Sequence, residues 1–219
     1  MLKKLILGAS LLCAAGLSHA SMITYSQTVT VQRTNIVDAP VSITQFDMDN
    51  AILTSVFVQY NATYNGTAVY ENTSTNSTSF ATTDVDILFS LTGPLGISLD
   101  ATDTYSNTVE LGIYDGAIDF MGTSAFSETF SLSGANSTLF TEASDLATFV
   151  GSDVVDFSFS AIVDSLQTQT ASGAKGLFSD AGALIEVTYN YVLAQSVSAP
   201  ASLEVLGLTL LGLTRVKRS

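Results

Sequence analysis

Asp47-Met48-Asp49-Asn50 places two carboxylates and an amide at the spacing with which a calcium loop begins. The pattern then fails. Ala51 and Ile52 follow where a further oxygen ligand and the turn glycine belong, and the distal glutamate is missing. Asp84 and Asp86 share one face of a strand, and Asp115, Gly116 and Asp119 fall in a loop. Calcium on such loops is the one cofactor weighed. Against it stands the simpler reading that these aspartates solvate turns, so no cofactor is expected. Paired carboxylates can also cleave glycosidic bonds. Here no acidic residue has the aromatic surroundings of a sugar cleft, and the chain has no tryptophan. Gly122-Thr123-Ser124-Ala125-Phe126 is one residue short of a nucleophile elbow and has no histidine to serve it.

Two softer patterns remain. Asn-x-Ser/Thr triplets start at Asn61, Asn65, Asn72, Asn76 and Asn136, as a strand surface rich in Ser, Thr and Asn produces by chance. Tyr60, Tyr64, Tyr70, Tyr189 and Tyr191 could line a face for sugars or peptides, and cross-strand packing explains them equally well.

The elements that must position these residues read as strands. Period-two alternation runs through Ile23, Tyr25, Val29 and Val31, and again through Ile52, Val56, Val58, Tyr60, Ala62 and Tyr64. It returns at Val85, Ile87, Phe89 and Leu91, and at Val155, Phe157, Phe159, Ala161 and Val163. Ile185, Val187, Tyr189, Tyr191 and Leu193 form the last strand. Asn65-Gly66 predicts a two-residue hairpin turn, because both residues accept positive φ. Residues 144–151 could make one or two helical turns. The expected fold is all-β: about eight to eleven antiparallel strands in a β-sandwich, jelly-roll or immunoglobulin-like, over residues 21–195.

Both ends read as addresses. Lys3 and Lys4, the apolar run Leu5 to Leu17 and Ser18-His19-Ala20 are the parts of a secretory signal peptide, residues 1–20, with signal peptidase cutting after Ala20. The run is shorter than the ~20 residues of a membrane span. Cys13 follows Leu12, not the small residue that a lipidation site wants. Cleavage would remove the only cysteine and the only histidine, and with them thiol and imidazole nucleophiles, bases and metal ligands. Between the two ends only Arg33 and Lys175 face nineteen acidic residues, a body charge of −17. Such a surface repels phosphate backbones, so no nucleic-acid partner is expected.

Residues 196–219 hold a small-residue segment around Pro200, an apolar run from Leu203 to Thr214, and Arg215, Lys217 and Arg218. A dozen residues make ~18 Å of helix against a ~30 Å hydrocarbon core, too little for a permanent span. The terminal cations would stay cytoplasmic. The segment resembles the PEP-CTERM sorting signal of Gram-negative bacteria, which exosortase-type membrane proteases read. Val197 and Pro200 stand at that signal's Val and second Pro, while Ser198 and Ala199 replace Pro-Glu and Glu204 interrupts the Leu/Gly helix. These departures bear on which enzyme acts rather than on the class. "FDMDNAILTSVFVQYNATYNGTAVYEN", ending in Glu71-Asn72, and "IEVTYNY" are similar to the choice-of-anchor E domain.

The resemblance implies export, an exosortase-like partner, surface attachment and a matrix or biofilm role, with no catalytic residue. The expected function is therefore a non-catalytic structural or adhesive protein whose partners are extracellular polysaccharide or other matrix proteins. The alternative is a carbohydrate-binding module of the envelope or matrix.

Overall fold

The computed structural model describes residues 20–194. Eight strands follow one another: β1 (Ala20–Arg33), β2 (Ile36–Thr44), β3 (Ala51–Asn72), β4 (Ser79–Thr92), β5 (Ser98–Leu111), β6 (Ala125–Phe140), β7 (Val154–Gln169) and β8 (Gly173–Leu193). They form two four-stranded sheets, ordered β1-β8-β3-β6 and β2-β7-β4-β5, with every neighbouring pair of strands antiparallel. First and last strands are neighbours, and each sheet combines two odd-numbered with two even-numbered strands, so the chain crosses repeatedly between the sheets. That is the order of an eight-stranded jelly roll. The short helix α1 (Ala143–Leu146), continued by a 3₁₀ turn at Ala147–Phe149, matches the turns expected at 144–151 and buries Leu146 and Phe149. Residues 195–219, including the expected apolar helix, and residues 1–19 lie outside the described residues.

Alternation builds the core as the sequence indicates. Val85, Ile87, Phe89 and Leu91 of β4 and Val155, Phe157, Phe159 and Ala161 of the neighbouring β7 all lie on the buried side of their sheet. Three register shifts break the parity elsewhere, one of them in β2 between Ile36 and Ala39. A register shift between Val29 and Gln32 turns Val31 out to 62 % exposure. Another between Leu53 and Ser55 sends Leu53 inward and leaves Ile52 59 % exposed. One extra residue in a strand reverses every side chain beyond it. So Val31 and Ile52 leave the core faces that simple alternation gives them.

The Asn65-Gly66 hairpin does not form. β3 runs unbroken through both residues, with Gly66 paired to Phe130 on β6 and Ser179 on β8. Gly66 occupies an inward position, in phase with the buried Tyr64, Ala68 and Tyr70. A Cβ there would overlap the Phe130 ring, so glycine is required for close approach and not for a turn.

The tyrosines expected as a possible binding face lie mostly between the sheets. Tyr60, Tyr64, Tyr70 and Tyr189 are buried, and Tyr191 is half-buried against Phe46. Three of them reach across the sandwich. Tyr60 donates to the Phe89 carbonyl (3.2 Å), Tyr70 to that of Thr82 (2.6 Å) and Tyr189 to that of Thr44 (2.9 Å). Each ring supplies apolar area while its hydroxyl satisfies a carbonyl of the opposite sheet. Burial raises the hydroxyls of Tyr60, to about 12, and of Tyr189 above the ordinary tyrosine value.

The open edges of the two sheets are closed by side chains. Where β5 faces β6, Asp103 Oδ2 accepts from the Ser133 N–H (2.9 Å) and Asn136 Nδ2 donates to the Asp100 carbonyl (2.8 Å). Tyr105 Oη and Asn107 Nδ2 both donate to Glu128 Oε2. Where β1 faces β2, Gln27 Oε1 accepts from the Ser42 N–H (2.7 Å). Inward-pointing polar groups of this kind blunt edges that would otherwise pair with other chains.

Candidate functional site

The acidic residues singled out above do not converge. Among the described residues no group of three or more Asp, Glu, His or Cys is placed to hold a metal ion. Asp115 and Asp119 bond the N–H groups of Ala117 (3.2 Å) and Met121 (2.9 Å), each stabilising its own turn. Asp47 and Asp49 are exposed between β2 and β3. Asp84 and Asp86 share the outer face of β4 as expected. Asp84 accepts from Ser106 (2.6 Å), and Asp86 stands opposite Asp164 on β7.

Ser124 is no nucleophile. It is buried and donates to Glu71 Oε1 (2.5 Å), while Glu71 Oε2 accepts from the Phe120 N–H (2.8 Å). Asn72 is buried as well. Its amide donates to the carbonyls of Ser77 (2.9 Å) and Gly112 (2.7 Å), and its oxygen accepts from the Ser74 N–H (3.0 Å). Glu71-Asn72 therefore ties the loops at 73–78 and 112–124 to the end of β3, and the triplet starting at Asn72 is unavailable to modification. Of the sorting positions, Val197, Ser198, Ala199, Pro200, Arg215, Lys217 and Arg218 all lie outside the described residues, and Ala20 opens β1.

One feature combines room, an exposed aromatic ring and convergent polar groups. β1 pairs with β8 as far as Arg33 opposite Asp180 and then departs toward β2, so residues 173–179 of β8 lose their neighbour on that side. The resulting groove holds about 440 Å³ and is lined by Arg33, Thr34, Asn65, Thr67, Phe178 and Asp180, with Leu177 and Ser179 on its inner side. Phe178 is 65 % exposed. Asn65 Nδ2 donates to Asp180 Oδ1 (3.1 Å), and Asn65 Oδ1 accepts from Ser131 (2.9 Å). Thr34 and Ser179 share a 2.7 Å hydroxyl hydrogen bond at the rim. Tyr64, the neighbour of Asn65, is buried with a hydroxyl that has no hydrogen-bond partner among the described residues. A second depression, about 340 Å³ on the outer face of the other sheet, is lined by Asp86, Leu88, Thr102, Thr104, Ile162 and Asp164 and contains no aromatic ring.

Sequence reading missed the groove because Arg33 and Asp180 meet only through the β1–β8 register. Parity did mark Phe178. The inward residues of β8 are the odd-numbered Ile185, Val187 and Tyr189, so an aromatic at an even position faces out.

No protein-family model and no curated protein matches the chain. Among solved structures, one described as Desmodium yellow mottle tymovirus is 10 % identical, with 90 % of this chain and 96 % of that chain covered and a TM-score of 0.21. The structure of infectious bursal disease virus Gx strain is 9 % identical over 97 % of this chain, at a TM-score of 0.18. The crystal structure of the infectious bursal disease virus VP2 subviral particle is 11 % identical over 96 % of this chain, at 0.19. This chain spans about half the length of the latter two, 55 % and 53 %. With TM-scores this low, the likenesses carry no argument.

Proposed function

We propose that this is an exported, surface-held, non-catalytic protein with a structural or adhesive role in an extracellular matrix. The observation that carries the non-catalytic reading is the employment of the carboxylates. Glu71 fixes a loop, Asp103 and Glu128 close the β5–β6 seam, and Asp84, Asp156, Asp180 and Glu186 accept from Ser106, Ser42, Asn65 and Gln59. Their donors are hydroxyls, amides and backbone N–H groups, which supply what a chain with so few cations cannot draw from lysine and arginine. Groups serving the scaffold in this way are not poised as acid and base.

The signal-like segment 1–20 and the PEP-CTERM-like segment 196–219 support export, cutting by signal peptidase and handling by an exosortase-like protease. Among the described residues no helix is long and apolar enough to cross a membrane. The PEP-CTERM-like resemblance of residues 196–219 is what supports attachment through the terminal segment.

Cells lacking the protein should retain less extracellular polysaccharide and aggregate less, and the full chain should restore both. A chain ending at Val197 should be secreted without restoring them. Turnover of any polysaccharide by the purified protein, lost on replacing one aspartate, would overturn the non-catalytic reading.

A further inference from the structure

We propose that the groove between the end of β1 and β8 binds a neutral hexopyranose unit of a polysaccharide chain. The inference deepens the adhesive reading above and rests on it.

The chemistry of the lining favours a sugar. Phe178 presents an apolar face of the width of a pyranose ring, and the aliphatic C–H face of a sugar is what such a ring covers well. Beside it the Asn65 amide and Asp180 carboxylate are held together by their own bond and anchored by Ser131. An amide carries two N–H donors and a carboxylate two acceptor oxygens, so each keeps capacity after bonding the other. A donor and an acceptor fixed side by side fit neighbouring hydroxyls, each of which both gives and takes a hydrogen bond. Arg33 adds further donors and Thr67 a hydroxyl at the groove wall. The volume falls within the range of small-ligand sites, roughly 300–1,000 Å³.

Charge selects among sugars. Asp180 lies in the groove, and a body at −17 repels a uronate or phosphorylated polymer at long range. Arg33 alone does not reverse this. The departure of β1 leaves the groove open along β8, as a continuing chain requires. Asp180 is the only carboxylate in the lining, whereas glycosidic cleavage takes two, so the site holds its ligand without cutting it.

The test uses the protein as recovered from the envelope fraction in mild detergent. It is titrated calorimetrically with cello-, laminari-, malto- and galacto-oligosaccharides and with oligogalacturonate. One neutral series should saturate, and oligogalacturonate should not. Phe178→Ala should weaken that binding by about tenfold or more, while Phe178→Tyr stays within about threefold. Leu184→Ala, exposed on β8 away from the groove, should change nothing, and all variants should keep the parent's melting midpoint. No saturation by any neutral series, indifference to Phe178→Ala, or preference for the uronate would overturn the proposal. If that happened while the protein still restored polysaccharide retention in cells, only the groove would fall. Loss of retention as well would remove the adhesive reading with it.

Discussion

Phe130 lies over Gly66, its partner across the β3–β6 ladder, and fills the space in which a Cβ would stand. Tyr105 of the opposite sheet stacks on the same ring at 3.9 Å and 4°, and its hydroxyl reaches Glu128. A missing side chain on one strand thus seats an aromatic pair that seals the seam between the sheets. Gly66→Val should overpack this site and cost about 1–3 kcal/mol, read as a lower melting midpoint. The diagnostic is coupling. Adding Phe130→Ala should make the double variant less unstable than the sum of the single effects, since the valine then has room. Additive effects would mean that the two residues do not meet.

Glu71 and Ser124 form the corresponding contact at the loop end of the molecule. Glu71→Ala leaves the buried Ser124 hydroxyl and the Phe120 N–H without an acceptor, at a cost of about 2–4 kcal/mol. Hydrogen exchange should rise first in residues 112–124. Protection lost uniformly across the sheets would contradict the loop-fixing role.

Alkaline pH should unfold the protein. Burial raises the hydroxyls of Tyr60, Tyr64, Tyr70, Tyr105 and Tyr189, with Tyr60 and Tyr105 reaching about 12. In the unfolded chain the same groups ionise near 10. Between those values the unfolded state has released protons that the folded state retains, so stability falls as pH rises. Below about 10 this contribution is fully present. The melting midpoint should be flat from pH 7 to 9 and drop steeply above about 10, together with the appearance of tyrosinate absorbance. Tyrosinate forming at ordinary pH while the fold persists would contradict the inter-sheet placement.

Calcium should not matter to the fold. Asp115 and Asp119 bond backbone N–H groups two residues ahead. The melting midpoint in millimolar calcium should equal that in chelator, because a ligand of the folded state alone would raise it by mass action. A rise of several degrees with calcium would restore the metal reading of this loop.

The strands of this fold are legible in the sequence wherever parity holds, as in β4 and β7, because one buried face imposes a period of two. Parity fails at the bulges beside Val31 and Ile52, where one additional residue changes the face without altering composition. Asn65-Gly66 carries turn chemistry but sits mid-strand. The unbroken phase from Tyr64 through Ala68 to Tyr70 was the contrary signal. The tyrosine hydroxyls bond carbonyls on another sheet, so no local pattern encodes their roles. The groove is less legible still, since Arg33, Asn65 and Asp180 come from three strands and meet only through register.

Surface attachment after processing at both ends is tested most directly by the intact mass of the protein from the cell-surface fraction. The mature form should begin at Ser21 and lack Arg215, Lys217 and Arg218. Substituting Pro200 should leave an uncut, heavier, membrane-associated form. A surface protein that still begins at Met1 or still ends at Ser219 would contradict the proposal.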